Sequence, residues 1–274
     1  MSELKVKSFE IRKAVMKMIY EAKTGHTGSD LSCTDILVAL YYGGMKINPK
    51  KPLAADRDRY VQSKGHAVEA LWAVLADKGF FPKEELATFS AFGTRLIGHP
   101  NNKVPGIEMN TGSLGHGLPV SVGMALAAKM DGKTYRVFTL MGDGELAEGS
   151  VWEGAMAAAN YQLDNLTAII DRNTLQISGR TERVMSLEPL ADKWRAFGWD
   201  VISVDGNDPD ALQKIFKEEN HSGKPRLIIA ETTKGYGVKM AEDVAKWHHY
   251  VPSAEEYALV MQELDERLEA SRNE

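Results

Sequence analysis

The chain has 274 residues, 43% hydrophobic and 26% charged, with a formal net charge of −5 at pH 7. That length is ample for a sizeable core, and the acidic balance with no basic run argues against a nucleic-acid ligand. A single cysteine, Cys33, leaves no internal disulfide framework and no thiolate metal cluster, which fits a reducing cytoplasm; no signal core follows Met1 and no apolar run approaches the ~20 residues that span a bilayer.

Along the chain, Ile11, Ala14, Val15, Met18, Ile19 and Ala22 recur at the 3,4 spacing of a helix, with Gly25 as its expected cap. Ser32 and Asp35 have capping-box-like spacing and predict a second helix through 36–40. Residues 59–61 read as a short strand and 66–78 as a helix, and Pro82 suits the first turn of another helix ending near Phe92. A small-residue helix over 117–130 then leads into a strand at 135–141. After Gly142-Asp143-Gly144 come a helix at about 148–161 and a strand at 166–171. The rhythm continues with a helix at 188–197, a strand at 199–204, a helix at 208–219 and a strand at 226–230. A surface helix is expected over 254–269.

This alternation predicts an α/β fold: a doubly wound, mostly parallel sheet with helices on both faces. No linker rich in Pro, Gly or Ser divides the chain, so 1–274 is expected to form a single domain with an N-terminal helical extension and a C-terminal helix. The alanine-rich stretches 124–128 and 155–159 predict tightly packed helices, able to face a partner subunit.

In open α/β sheets ligands sit beyond the carboxyl ends of the strands. If the strands before Asp143 and Asn173 are parallel neighbours, both side chains emerge at one edge, where oxygen donors suit Mg²⁺ or Ca²⁺ and the metal holds a diphosphate. Gly142 and Gly144 let the backbone approach such a ligand, and the next helix offers it amide N–H groups. The run 142–147 also fits the G-x-G-x-x-G/A dinucleotide fingerprint, with Asp171 as the ribose-binding acid. Against that, Asp143, Glu145 and Glu148 would crowd a bare pyrophosphate. A plain structural turn is the third reading that spacing alone leaves open.

Further motifs follow in order: Thr24-Gly25-His26, Ser63-Lys64-Gly65-His66-Ala67, Gly98-His99-Pro100 and Thr111-Gly112-Ser113-Leu114-Gly115. After the Gly142 turn and Glu148-Gly149 come Asp171-Arg172-Asn173, Lys234-Gly235-Tyr236-Gly237 and Trp247-His248. Together they resemble, end to end, the N-terminal half of transketolase, a thiamine-diphosphate enzyme. The resemblance implies thiamine diphosphate with Mg²⁺ (or Ca²⁺), Asp143 and Asn173 as side-chain metal ligands, and the Leu175 carbonyl as a third. It gives Gly142 and Gly144 to the diphosphate turn, and Gly112, Ser113 and Leu114 to the cofactor's lining. Glu148 resembles a buried glutamate at the subunit interface that links two active sites. His26, His66, His99 and His248 resemble the histidines around cofactor and donor ketose, a role that suits imidazole near neutral pH. His116, His221 and His249 read as surface or structural residues.

The second half of a transketolase supplies a pyrimidine-binding domain, of which this chain carries no motif. The resemblance therefore implies a split transketolase: a diphosphate-binding subunit whose site is completed by a separate pyrimidine-domain chain, in an α2β2 heterotetramer that self-dimerises. Its reaction would move a two-carbon ketol unit from a ketose phosphate to an aldose phosphate. Departures from the family pattern (Thr27 for a proline, Ser29-Asp30 for Gly-Ser, His116 for a glutamine, Thr174 and His249 for glycines) cluster near the expected donor pocket. Pentose phosphates are the default substrates, with a deoxy or sulfonated ketose as the specialised alternative. Other readings are a deoxyxylulose-phosphate synthase, the alpha chain of a 2-oxoacid dehydrogenase and a non-catalytic scaffold; intact Asp143, Asn173 and Glu148 argue against the last.

Overall fold

The computed structural model describes residues 2–273. Its strands are β1 (Arg59–Gln62), β2 (Val137–Gly142), β3 (Leu166–Arg172), the short pair β4 (Leu175–Gln176) and β5 (Gly179–Arg180), β6 (Asp200–Asp205) and β7 (Arg226–Glu231). β4 and β5 form an antiparallel ribbon, and the other five form one parallel sheet in the order β1-β2-β3-β7-β6. The helices are α1 (Glu3–Ala22), α2 (Thr27–Ala39), α3 (Val68–Lys78), α4 (Gly117–Met130), α5 (Gly149–Asn160), α6 (Thr181–Val184), α7 (Leu190–Ala196), α8 (Pro209–Lys217) and α9 (Ala254–Asn273).

Because successive strand residues point to opposite faces, each apolar strand feeds two cores. Phe138, Leu140, Ile169, Ile228 and Ala230 pack under α1, α2, α3 and α8. Val137, Met141, Ala168, Ile170, Leu227 and Ile229 pack under α4, α5 and α7. The expected doubly wound sheet is present. α9 lies on α1 through Val260, Leu264 and Leu268, which join Phe9, Met16 and Leu31 in a third core. No described helix is long and apolar enough to cross a membrane.

Several expected boundaries move. Lys23, not Gly25, closes α1 in the left-handed region at φ 58°. Gly25 is required for a different reason, since a side chain there would strike Ile19 and Glu69. α2 starts at Thr27, not after Ser32: all thirteen of its residues are buried, so tertiary packing overrides the poor helix propensity of its first turn. The Pro82 segment forms a short 3-10 helix, Lys83–Thr88, instead of an α-helix reaching Phe92. The β4–β5 ribbon and α6 carry no apolar periodicity and had no sequence signal.

Candidate active site

The carboxyl ends of β1, β2, β3 and β7 meet at one edge of the sheet. Gly142 is level with Asp171 in the β2–β3 register, so Asp143 and Asn173 leave neighbouring strands side by side. Asp143 is 1% exposed. Its Oδ1 accepts the Gly144 N–H at 2.8 Å, and its Oδ2 accepts the Thr174 N–H at 2.6 Å and Arg172 at 3.2 Å. Burial, then the nearby Asp171, push its carboxyl up to about 6 against the pull of Arg172. Asn173 Oδ1 accepts the Leu175 N–H at 3.1 Å, and the Leu175 carbonyl accepts the Lys234 ammonium at 3.1 Å. The corner therefore gathers one carboxylate, one carboxamide and one backbone carbonyl, a hard oxygen set that fits a divalent cation. The Lys234 ammonium already stands on the carbonyl as a cation would.

Glycines open the floor of this corner. A Cβ at Gly142 would meet nothing within 4 Å but Lys64 Cβ at 3.9 Å, leaving room for a ligand against the turn. At Gly112 (φ +141°) a side chain would strike the His99 ring at 2.8 Å, and at Gly65 it would strike Thr111 Oγ1 at 2.6 Å. The loops 63–66 and 111–115 are thus interlocked by glycines beside the diphosphate turn. Ser113 is exposed and Leu114 half-buried; the Ser113 hydroxyl and the Leu114 carbonyl lie 3.2 and 3.1 Å from His116 Nδ1. Glu148 is exposed on the single chain, so the burial that the resemblance implies is not supplied from within it. The buried glutamate of this turn is Glu145, which accepts the Gly142 and Gly115 N–H groups at 3.0 and 2.9 Å and the Ser63 hydroxyl. Sequence reasoning took Glu145 only as one of the acids that would crowd a bare pyrophosphate; its hydrogen-bonded role had no local signal.

His26, His66, His99 and His248 converge beside this corner. The His26 ring lies 5.3, 6.4 and 5.8 Å from those of His66, His99 and His248, and His66 stacks on His248 at 5.3 Å. His249, read from sequence as a surface or structural residue, joins them at 4.7 Å from His26. His116 stays at the exposed start of α4, and exposed His221 pairs with Glu219. Burial lowers His26 to about 4 and His248 to about 3, with neighbouring imidazoles and lysines adding to the effect. His66 and His99 are lowered chiefly by burial too. These four rings are neutral at pH 7, each able to donate at one nitrogen and accept at the other.

Behind His26 sits a buried acid pair. Glu69 Oε1 accepts the His26 N–H at 3.2 Å and Asp30 Oδ1 accepts the Ala70 N–H at 2.9 Å. Their other oxygens, Asp30 Oδ2 and Glu69 Oε2, are buried with no hydrogen-bond partner among the described residues, an arrangement that one proton kept between the two carboxyls would satisfy. Burial first, then mutual repulsion at Glu69, hold both groups above the ordinary carboxyl range. A carboxyl raised in the folded state stabilises the fold fully below its unfolded value, and that stabilisation is lost as pH rises through the folded value. Stability is therefore expected to fall from about pH 4, where the unfolded carboxyls ionise, up through about 7, where Asp30 ionises in the fold, by at most about 1.4 kcal/mol per pH unit for each proton that the folded chain keeps and the unfolded one has lost. Glu69→Gln, whose amide proton does not leave, should flatten that slope in denaturant titrations. An unchanged slope would remove the shared proton from this account.

A larger cleft of about 750 Å³ lies at the opposite end of the sheet, lined by Asp58, Arg136, Arg226 and Asp164 among others. Arg136 is paired with Asp58, Arg226 with Asp200 and Lys129 with Asp164. None of the expected site residues lines it.

The transketolase thiamine diphosphate-binding domain matches residues 5–266. The chain is 52% identical to a subunit of the apulose-4-phosphate transketolase of Phocaeicola vulgatus over 272 residues, covering 99% of this chain and 97% of that protein. It is 43% identical to the 6-deoxy-6-sulfo-D-fructose transketolase subunit of Clostridium sp., covering 93% and 94%. Among solved structures, the transketolase of Campylobacter jejuni superposes with a TM-score of 0.90 at 31% identity, covering 98% of this chain. The chain spans 43% of that longer protein. The parallel α/β sheet is thus a shared architecture, and the chain belongs to the transketolase family through its thiamine diphosphate-binding domain.

Proposed function

We propose that this chain is the diphosphate-binding subunit of a split transketolase that transfers a two-carbon ketol unit from a ketose phosphate to an aldose phosphate. The observation that carries this reading is the convergence of His26, His66, His99 and His248 beside the oxygen corner of Asp143, Asn173 and Leu175. Asp143, Asn173 and the Leu175 carbonyl hold the metal, Mg²⁺ by preference with Ca²⁺ also suited, and the Gly142–Gly144 turn receives the diphosphate. Gly112, Ser113 and Leu114 line the cofactor. Bound thiamine diphosphate supplies the stabilised carbanion that carbon–carbon cleavage requires. The neutral histidines bind the sugar's carbonyl and hydroxyl groups and carry protons to and from them.

A separate pyrimidine-binding chain completes the site. Relatives that match this chain over nearly their whole length are named as subunits, which supports the division. Self-association through α4 and α5, which expose Val120, Met130 and Met156, with Glu148 exposed at the start of α5, gives an α2β2 assembly. A lone, buried, unpaired Cys33 suits work in the cytoplasm.

The purified chain is expected to turn over no ketose phosphate by itself and to gain ketol transfer, with metal-dependent thiamine diphosphate binding, when its partner chain is added. Full turnover without a partner would overturn the split-site reading. Release of carbon dioxide from pyruvate by the complex would move the assignment to another thiamine-diphosphate class.

A further inference from the structure

The short turn Ala245–His249 places two imidazoles in succession at the rim of the site. It is fastened on both sides. Buried Trp247 anchors one side in the third core, and its carbonyl lies so close to α2 that a Cβ at Gly28 would meet it at 2.8 Å. On the other side the fully buried Thr27 hydroxyl donates to the Tyr250 carbonyl at 2.6 Å. Between these anchors, His248 stacks on His66 and is 2.9 Å from the Lys234 ammonium, whereas His249 stays exposed with its ring 4.7 Å from that of His26.

His26 thus has four other imidazoles within 6.4 Å of its ring, and its Nδ1 is buried without a hydrogen-bond partner among the described residues. Neither fastening contact serves the metal corner. Their effect is to fix one extra hydrogen-bonding ring, neutral or charged, at the entrance, at the cost of burying a threonine hydroxyl on a backbone carbonyl.

The geometry points to His249, held in place by Thr27, as a specificity-determining residue for the sugar. It forms the outer wall of the sugar subsite, touching the carbons and hydroxyls beyond the transferred two-carbon unit, and so selects among ketose phosphates that differ there. This rests on the ketol-transfer reading. His249 contacts substrate without holding cofactor, and Thr27 is a positioning residue acting through the Tyr250 carbonyl.

The test uses the reconstituted two-chain complex with thiamine diphosphate and Mg²⁺. It compares wild type, His249→Gly and Thr27→Val on a panel of ketose phosphates that share carbons one and two but differ in length, branching or end group. Removing the ring is expected to change the ratio of kcat/KM between panel members by about 10-fold, the worth of one hydrogen bond, mainly through KM. Cofactor affinity by calorimetry should stay within about 2-fold, since one lost rim contact leaves the metal corner intact. Thr27→Val, which keeps volume and removes the hydroxyl, should shift the ratio in the same direction. A uniform change across the panel, or none, with wild-type transfer intact overturns this inference alone. Absence of ketol transfer by the wild-type complex on every member overturns the functional reading and this inference with it.

Discussion

Replacing Asp143 with asparagine is expected to lower metal-dependent thiamine diphosphate affinity by more than about 100-fold while leaving the fold intact. Loss of even an outer partner of a metal ligand costs about 10–100-fold, and here the ligand's own charge is removed. The carboxylate does two jobs that the variants separate. It faces the oxygen corner as its only anionic donor, and it accepts the Gly144 and Thr174 N–H groups that shape the turns after β2 and β3. Asparagine can keep one of those hydrogen bonds and loses the charge, so binding suffers more than stability. Asp143→Ala strands both N–H groups and should add a stability loss of about 1–3 kcal/mol. Asn173→Ala, which strands the Leu175 N–H and removes a neutral donor, should fall between the two in affinity. Calorimetry of the complex with Mg²⁺ and chemical denaturation of the chain provide the two readouts. Unchanged affinity in Asp143→Asn would mean that the metal is held elsewhere.

Much of this architecture was legible because it is written locally. Apolar runs at 137–141, 166–170 and 226–230 declare buried parallel strands, and glycines flanking Asp143 declare a turn at a strand end. Parallel pairing then makes the adjacency of Asp143 and Asn173 almost automatic. What stayed hidden depends on long-range contact. The first turn of α2, Thr27 to Asp30, looks too polar to be a buried helix until Glu69, Ala70 and Tyr250 supply its partners. Glu69 itself carried a signal that went unread, an acid in the otherwise apolar run of α3, where an unpaired charge is rarely tolerated. His249 read as a surface or structural residue on its own, although it also stood among the departures near the expected donor pocket; its packing beside His26 on a turn pinned by Trp247 needed the fold. Glu145 and Glu148 lie three residues apart in one turn, and only the fold shows that the first is buried and hydrogen-bonded while the second faces solvent.

Lys64 and Asp171 are the clearest case of a pair that no local pattern reveals, and breaking it is expected to cost about 3–5 kcal/mol. Their side chains are 1% and 0% exposed and form a direct ion pair. Lys64 also donates to the Ser29 carbonyl at 3.1 Å, while Asp171 accepts the Ser32 hydroxyl at 2.6 Å and that of Thr232. Burial opposes both charges. The ammonium, with the two hydroxyl donors, nonetheless holds the Asp171 carboxyl below its ordinary value, and Asp171 holds Lys64 above its own. Each charge is tolerated in the interior only because the other is there. Lys64→Met leaves an uncompensated buried carboxylate, and Asp171→Leu leaves an uncompensated ammonium, so each single variant should fall near that range in denaturant unfolding. The double variant should recover much of the loss, because a well-packed apolar replacement of a buried pair is often nearly neutral. Its cofactor affinity should not recover with it: Lys64 Cβ is the atom nearest a Cβ built at Gly142, and its ammonium is one of the buried cations, with Lys234 and Arg172, around the corner proposed for the metal and diphosphate. A double variant that regained both stability and affinity would make the pair dispensable. Regaining stability alone would show that the fold keeps these charges for the site.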